Sequence, residues 1–136
     1  MSTEANKVLA RQVIAAFNSG DFESLKEWFT PDFVWHFSST TTMNLEQFLA
    51  FTHNIKQSFP DFVFTIEDLV AETEKVVVRF IATGTHQGVF QGLAPTQKRF
   101  SILGFGQYHL TNGKIAEGWE LRDELGELRQ LGMLPV

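Results

Sequence analysis

The chain has 136 residues and no cysteine. Disulfide staples and thiolate metal sites are therefore excluded. Stability must come from packing, and a chain of this length can bury its own core as one compact domain over residues 1–136. A surplus of positive charge is also missing. The net charge of −5 at pH 7 argues against nucleic acid or an anionic membrane surface as partner. No apolar run reaches membrane-spanning length. The opening "MSTEANKVLARQ" is polar and mixed in charge, unlike a signal peptide, so a cytoplasmic protein is expected. Gly-rich phosphate loops and dinucleotide fingerprints are lacking, since "GFG" falls mid-strand. The four histidines show no ligand spacing with a carboxylate, so neither a metal nor another cofactor is expected.

Aromatic residues are plentiful: 14 Phe and 3 Trp in a chain that is 43% hydrophobic. That suits a tight core or a ligand cavity. Ala5, Leu9, Val13, Ala16 and Phe17 recur at helical spacing and predict a first helix over residues 3–18. Asp21 is placed to cap a short second helix carrying Phe22, Leu25 and Phe29, which "TPD" breaks. "FVWHF" reads as a strand. Asn44 and Gln47 have the capping-box spacing at the head of a third helix, whose inner side carries Leu45, Phe48, Thr52, Ile55 and Phe59. Only strands are predicted after that, over residues 62–70, 75–85, 99–110 and 114–122. Helices first and strands later indicate an α+β fold, with helices on one face of an antiparallel sheet.

The last hairpin turns at "HLTNGKI". A two-residue turn pairs Thr111 with Lys114, and a three-residue loop pairs Leu110 with Lys114. The three-residue register matches Leu103 with Leu121 and Phe105 with Trp119, and apolar cross-strand pairs favour it. It places Gly104, Gly106, Tyr108, Gly118 and Glu120 on one face. Leu103, Phe105, Ile115, Glu117, Trp119 and Leu121 take the other. Gly104 then lies opposite Glu120 and Gly106 opposite Gly118, so Glu120 borders a hollow left by missing side chains. A bulge or close backbone packing is the alternative use of such glycines. The Trp119 face is apolar enough to meet a second subunit, which points to a homodimer.

Several segments resemble the SnoaL-like polyketide cyclase family: "FPDFVFTIEDLV", "ATGTHQGVFQGLAPT", "NGKIAEGWELRD" and "LRQLGMLP". "VIAAFNSGDFESLKEWFTPDFVWH" is similar to the family's opening helices, so the likeness runs along nearly the whole chain. The resemblance implies the cone-shaped fold of the cystatin-like, nuclear transport factor two-like group. In it a curved antiparallel sheet and three N-terminal helices enclose an apolar pocket, usually in a homodimer. It also implies that Glu120 stands where the characterised cyclases carry an acid/base aspartate. Gly104 and Gly106 stand where they carry a glutamine and a histidine, and Phe17 and Phe51 match pocket-lining helix positions. Ala94 and Gln97 replace residues that are often proline and glycine in the family.

A carboxyl in an apolar cavity has a raised pKa and can act as a base near neutral pH. Glu120 is therefore the leading catalytic candidate. A partly solvated Glu, or one paired with Arg122, is the alternative. Tyr108 shares its face and can donate to an oxyanion, or it is a core aromatic with a bonded hydroxyl. Trp35 and His36 leave their strand in opposite directions. One points inward, Trp35 as a wall of the binding pocket or His36 as a replacement for the missing histidine. His86 is expected to order a turn and His53 to be exposed. Glu117 and Asp123 are expected to be structural, Asp123 as a cap. Two functions remain open. One is cofactor-free acid/base catalysis of the aldol cyclase or isomerase type on an apolar carbonyl compound. The other is a non-catalytic ligand-binding or association domain.

Overall fold

The computed structural model describes residues 2–134. The elements run α1 (Thr3–Ser19), α2 (Phe22–Glu27), β1 (Phe29–Phe37), β2 (Thr41–Asn44), α3 (Leu45–Ser58), β3 (Val63–Glu72), β4 (Lys75–Thr85), β5 (Arg99–Thr111), β6 (Lys114–Arg122) and α4 (Glu124–Gln130). The fold is α+β, with one curved sheet in the order β2-β1-β6-β5-β4-β3. The sheet is mixed rather than wholly antiparallel, because β1 runs parallel to β6. The first strand thus lies beside the last one, and the chain's two halves close on each other.

Local chemistry sets the helix ends. Ser2 accepts from the Ala5 N–H at 3.1 Å, and Gly20 ends α1 in the left-handed region at φ 77°. A side chain there would be strained. Asp21 caps α2, and Asn44 with Gln47 forms the expected capping box on α3. Phe29 opens β1 instead of closing α2, since Trp28 already ends that helix. Pro31 falls where the β1–β6 ladder is interrupted between Phe29 and Val34, a place that tolerates a missing N–H. Leu9, Val13 and Phe17 of α1 and Ile55 of α3 are buried against the sheet, as their spacing predicts. Asn6 is buried as well and donates to the Thr73 carbonyl at 3.0 Å.

The last hairpin corrects the expected register. Thr111 pairs with Lys114 across a two-residue turn, and Leu110 does not face Lys114. Asn112 and Gly113 both have positive φ, 51° and 77°. This is the primed-turn geometry that suits the twist of two strands. Leu110 then pairs with Ile115 and His109 with Glu117, so Ala116 is an unpaired bulge residue. The bulge turns the downstream side chains over. Beyond it Gly106 faces Glu120, Gly104 faces Arg122, Tyr108 faces Gly118, and Phe105 faces Leu121. The face assignment of Glu120, Tyr108 and the glycines therefore stands, but their partners differ. Ile115, expected on the outer face, is 1% exposed in the core.

The chain closes with α4. The Asp123 side chain accepts from the Gly126 N–H at 2.9 Å, as its expected capping role requires. Gln130 fastens the helix to β5. It accepts from the Ser101 N–H at 2.7 Å and donates to the Ser101 carbonyl at 3.1 Å.

Candidate active site

The sheet's inner face and helices α1 and α3 line a narrow cavity with about 50 Å³ of room for the centres of water-sized molecules. Trp35, Phe80, Tyr108, Glu120 and Arg122 come from the sheet, Phe17 from α1, and Phe48, Phe51, Thr52 and Ile55 from α3. Apart from Thr52, Tyr108, Glu120 and Arg122, every lining residue is apolar.

Strand alternation settles the choice at residues 35 and 36. Trp35 points inward, is 3% exposed, and stacks on Tyr108 with ring centroids 6.1 Å apart. His36 therefore points outward and does not reach the cavity. Its ring lies parallel to Trp119 at 4.7 Å, and its Nε2–H donates to Glu117 Oε2 at 2.6 Å. Glu117 is thus held by His36 and faces His109 across the sheet. His86 is fully buried. Its Nδ1 accepts from the Thr96 N–H at 3.2 Å and meets the Thr96 hydroxyl at 3.0 Å, which holds the 86–98 loop closed. His53 is exposed.

The hollow beside the glycines is largely filled. A Cβ at Gly104 would run into the Phe80 ring, and one at Gly118 would meet the Trp35 indole at 2.5 Å. At Gly106 the nearest atom would be Tyr108 Oη at 3.4 Å, an ordinary contact. Gly104 therefore shapes the site by letting the Phe80 ring lie close on the backbone, Gly106 has room to spare, and neither lines the cavity itself. Phe17 and Phe51 are among the residues that line it.

Glu120 is 8% exposed, and burial raises its pKa from 4.5 to about 7. Arg122 pulls it down, and Glu124 and Glu127 push it up. Burial also raises the Tyr108 phenol, with the Glu120 charge adding to it, so Tyr108 stays a donor. Arg122 does not pair with Glu120. Its Nη2 lies 3.5 Å from Glu127 Oε1, with both side chains almost fully buried, and its guanidinium sits 5.5 Å above the Phe37 ring. Glu127 was not a candidate from sequence, because nothing in the polar "ELGELRQ" stretch marks it as buried. Docking of α4 on β5, through the Gln130–Ser101 bonds and the buried Leu131, brings it inside. A carboxyl that exchanges its proton near neutral pH, a phenol beside it and an aromatic wall can together deprotonate carbon next to a carbonyl.

Residues 7–131 match the SnoaL-like polyketide cyclase family, and the chain belongs to it. Aklanonic acid methyl ester cyclase AcmA of Streptomyces galilaeus is 26% identical over 125 residues, covering 90% of this chain and 87% of that one. AclR of the same organism, described as a candidate hydroxylase, superposes with a TM-score of 0.91 at 27% identity, covering 99% of this chain and 89% of that one. IdmH of Streptomyces antibioticus, described as a candidate polyketide cyclase, gives 0.85 at 32% identity, covering 93% and 98%. The chain is thus a pocket protein that resembles the family's cyclases. The hydroxylase description of AclR is a reminder that this fold does not by itself select one reaction.

Proposed function

We propose that the protein is a cofactor-free acid/base catalyst acting on an apolar carbonyl compound, with Glu120 as the base. The observation that carries this reading is a carboxyl enclosed by aromatic rings, whose burial raises its pKa to about 7. In the ionised form Glu120 takes a proton from the carbon next to the carbonyl. The electron pair left behind forms an enolate, and Tyr108 donates a hydrogen bond to its oxygen. The enolate carbon then attacks a second carbonyl carbon in the same molecule, forming a C–C bond. The alkoxide so produced takes the proton back from Glu120, and the ring is closed with no atom gained or lost. Return of the proton at another carbon of the enolate gives isomerisation by the same machinery. The likeness to a cyclase acting on aklanonic acid methyl ester favours polyketide esters and ketones as the substrate class.

Glu120→Gln tests this, because it is nearly isosteric. Ligand affinity and fold should persist while turnover falls by roughly 10²–10⁴-fold, the usual worth of a positioned base. Full turnover in that variant would end the reading. A pure binding module would show no turnover in either form.

The proposed working form is a homodimer. Leu103, Phe105 and Leu121 are exposed together on the outer face of the sheet, and monomers seldom leave such a patch open. A cytoplasmic setting belongs to the same proposal and rests on composition alone; cell fractionation would test it. Among the described residues no helix is long and apolar enough to cross a membrane.

A further inference from the structure

Arg122 follows Glu120 by two residues on β6, so both side chains leave the same face, with roughly 7 Å of strand between them. Both line the cavity. Their partners on β5 are Gly104 and Gly106, so no β5 side chain at those two positions separates them. A buried guanidinium this near a carboxyl is ordinarily its counter-ion. A direct pair would hold the carboxyl ionised well below neutral pH and make it a poor base.

Here the guanidinium is turned toward Glu127. The contact is single and loose, Nη2 to Oε1 at 3.5 Å. Arg122 Nε and Glu127 Oε2 are both buried without a hydrogen-bond partner. A guanidinium can fork onto a carboxylate with two parallel bonds, and this one does not. Glu127 reaches its place because α4 is fixed at both ends: Asp123 caps it, and Gln130 bonds to Ser101 in both directions. A Cβ at Gly126 would push the Asp123 carboxylate aside, so glycine there leaves the cap undisturbed.

We propose that Arg122 and Glu127 are a positioning pair for Glu120: Glu127 holds the guanidinium back, so that the cavity carboxyl has a cation nearby but no direct ion pair. The pair sets how readily Glu120 gives and takes a proton. This inference rests on the reading of Glu120 as the base. The Glu124 carboxylate from α4 also acts on Glu120, and the Tyr108 phenol from β5 and the Thr52 hydroxyl from α3 line the same cavity. Helix α1 presents only apolar groups to the cavity.

Carbon-13 NMR of the glutamate side-chain carboxyls in the full chain, without substrate, tests it. Glu120→Gln identifies the signal. In Glu127→Gln the guanidinium is released toward Glu120, and the Glu120 midpoint should fall by about one pH unit or more, the usual effect of a direct opposite charge. In Arg122→Gln the midpoint should rise, because the cation is gone. Loss of a nearby cation or of a nearby like charge gives shifts of these signs by itself, so the size of the fall in Glu127→Gln, and not its sign, carries the test. If Arg122→Gln fails to fold, the near-isosteric Glu127→Gln decides alone. A smaller fall, no change or a rise in Glu127→Gln overturns the proposal. On any substrate turned over, the acid limb of the Glu127→Gln pH–rate profile should move to lower pH by the same amount. The titration stands apart from the base assignment, which only the activity of Glu120→Gln can end.

Discussion

Trp35 lies across Gly118 so closely that a Cβ on residue 118 would stand 2.5 Å from the indole and 3.2 Å from the Tyr108 ring. The indole is 3% exposed and wedged against Phe48, whose ring centroid is 4.9 Å away, so it has nowhere to go. Gly118→Ala should therefore destabilise the protein by about 1–3 kcal/mol, the usual range for overpacking a core. Urea unfolding would show it as a lower midpoint. An unchanged midpoint would mean that the indole is free to move.

The two glycines of β5 should behave differently. A Cβ at Gly104 collides with the buried Phe80 ring and sits 3.1 Å from the Arg122 Cβ, while at Gly106 the closest approach is 3.4 Å. Gly104→Ala should cost about 1–3 kcal/mol, and Gly106→Ala should stay within about 0.5 kcal/mol of the parent. Equal losses in denaturant unfolding would count against this account of the site floor.

Glu120 links stability to pH. Its pKa is raised from 4.5 to about 7 on burial, so the folded state holds the proton more tightly than the unfolded chain. The contribution is fully present below about 4.5 and is lost as pH rises through about 7. At ~1.4 kcal/mol per pH unit, the loss is on the order of 3 kcal/mol. Glu120→Gln carries no such charge. Its stability relative to the parent should thus be greater at pH 8 than at pH 4, and thermal unfolding at the two pH values would reveal the difference. A constant difference would mean that the carboxyl is not desolvated.

The turn can be checked by backbone chemistry. Asn112 sits at φ 51°, a region that glycine and asparagine tolerate and β-branched residues do not. Asn112→Gly should be neutral in thermal unfolding, and Asn112→Val should cost roughly 1–2 kcal/mol. Tolerance of valine would favour the three-residue loop, in which residue 112 is right-handed.

Leu121 is 68% exposed and pairs with the exposed Phe105 on the outer face. Leu121→Glu should leave the circular dichroism unchanged and convert a dimer to a monomer in sedimentation at micromolar concentration. A monomeric parent would remove the dimer from the proposal.

The helix caps were legible in the sequence, because a cap is a contact between residues three apart. The Asn44–Gln47 box and the Asp21 and Asp123 caps need no other part of the chain. The inner stripes of α1 and α3 were legible for the same reason: periodicity is local. So was the family, whose motifs lie along continuous stretches. The hairpin was legible only in part. Alternation of apolar and small residues decided that Glu120, Tyr108 and the glycines share a face. It could not distinguish a three-residue loop from a two-residue turn followed by a bulge at Ala116, since each restores the same alternation. The mixed sheet, with β1 parallel to β6, depends on contacts between the two ends of the chain, and no local pattern encodes them. The same holds inside the site. Phe80 and Trp35 fill the spaces above Gly104 and Gly118 from distant strands, which turns apparent gaps into ring-on-backbone packing. Glu127 is polar, lies on a short acidic helix, and is still 1% exposed, because the Gln130–Ser101 bonds and the buried Leu131 dock that helix beside β5. Burial is a property of the packed chain and not of a residue type. Tertiary structure alone therefore decided that Glu120 loses its water and that Arg122 turns to Glu127.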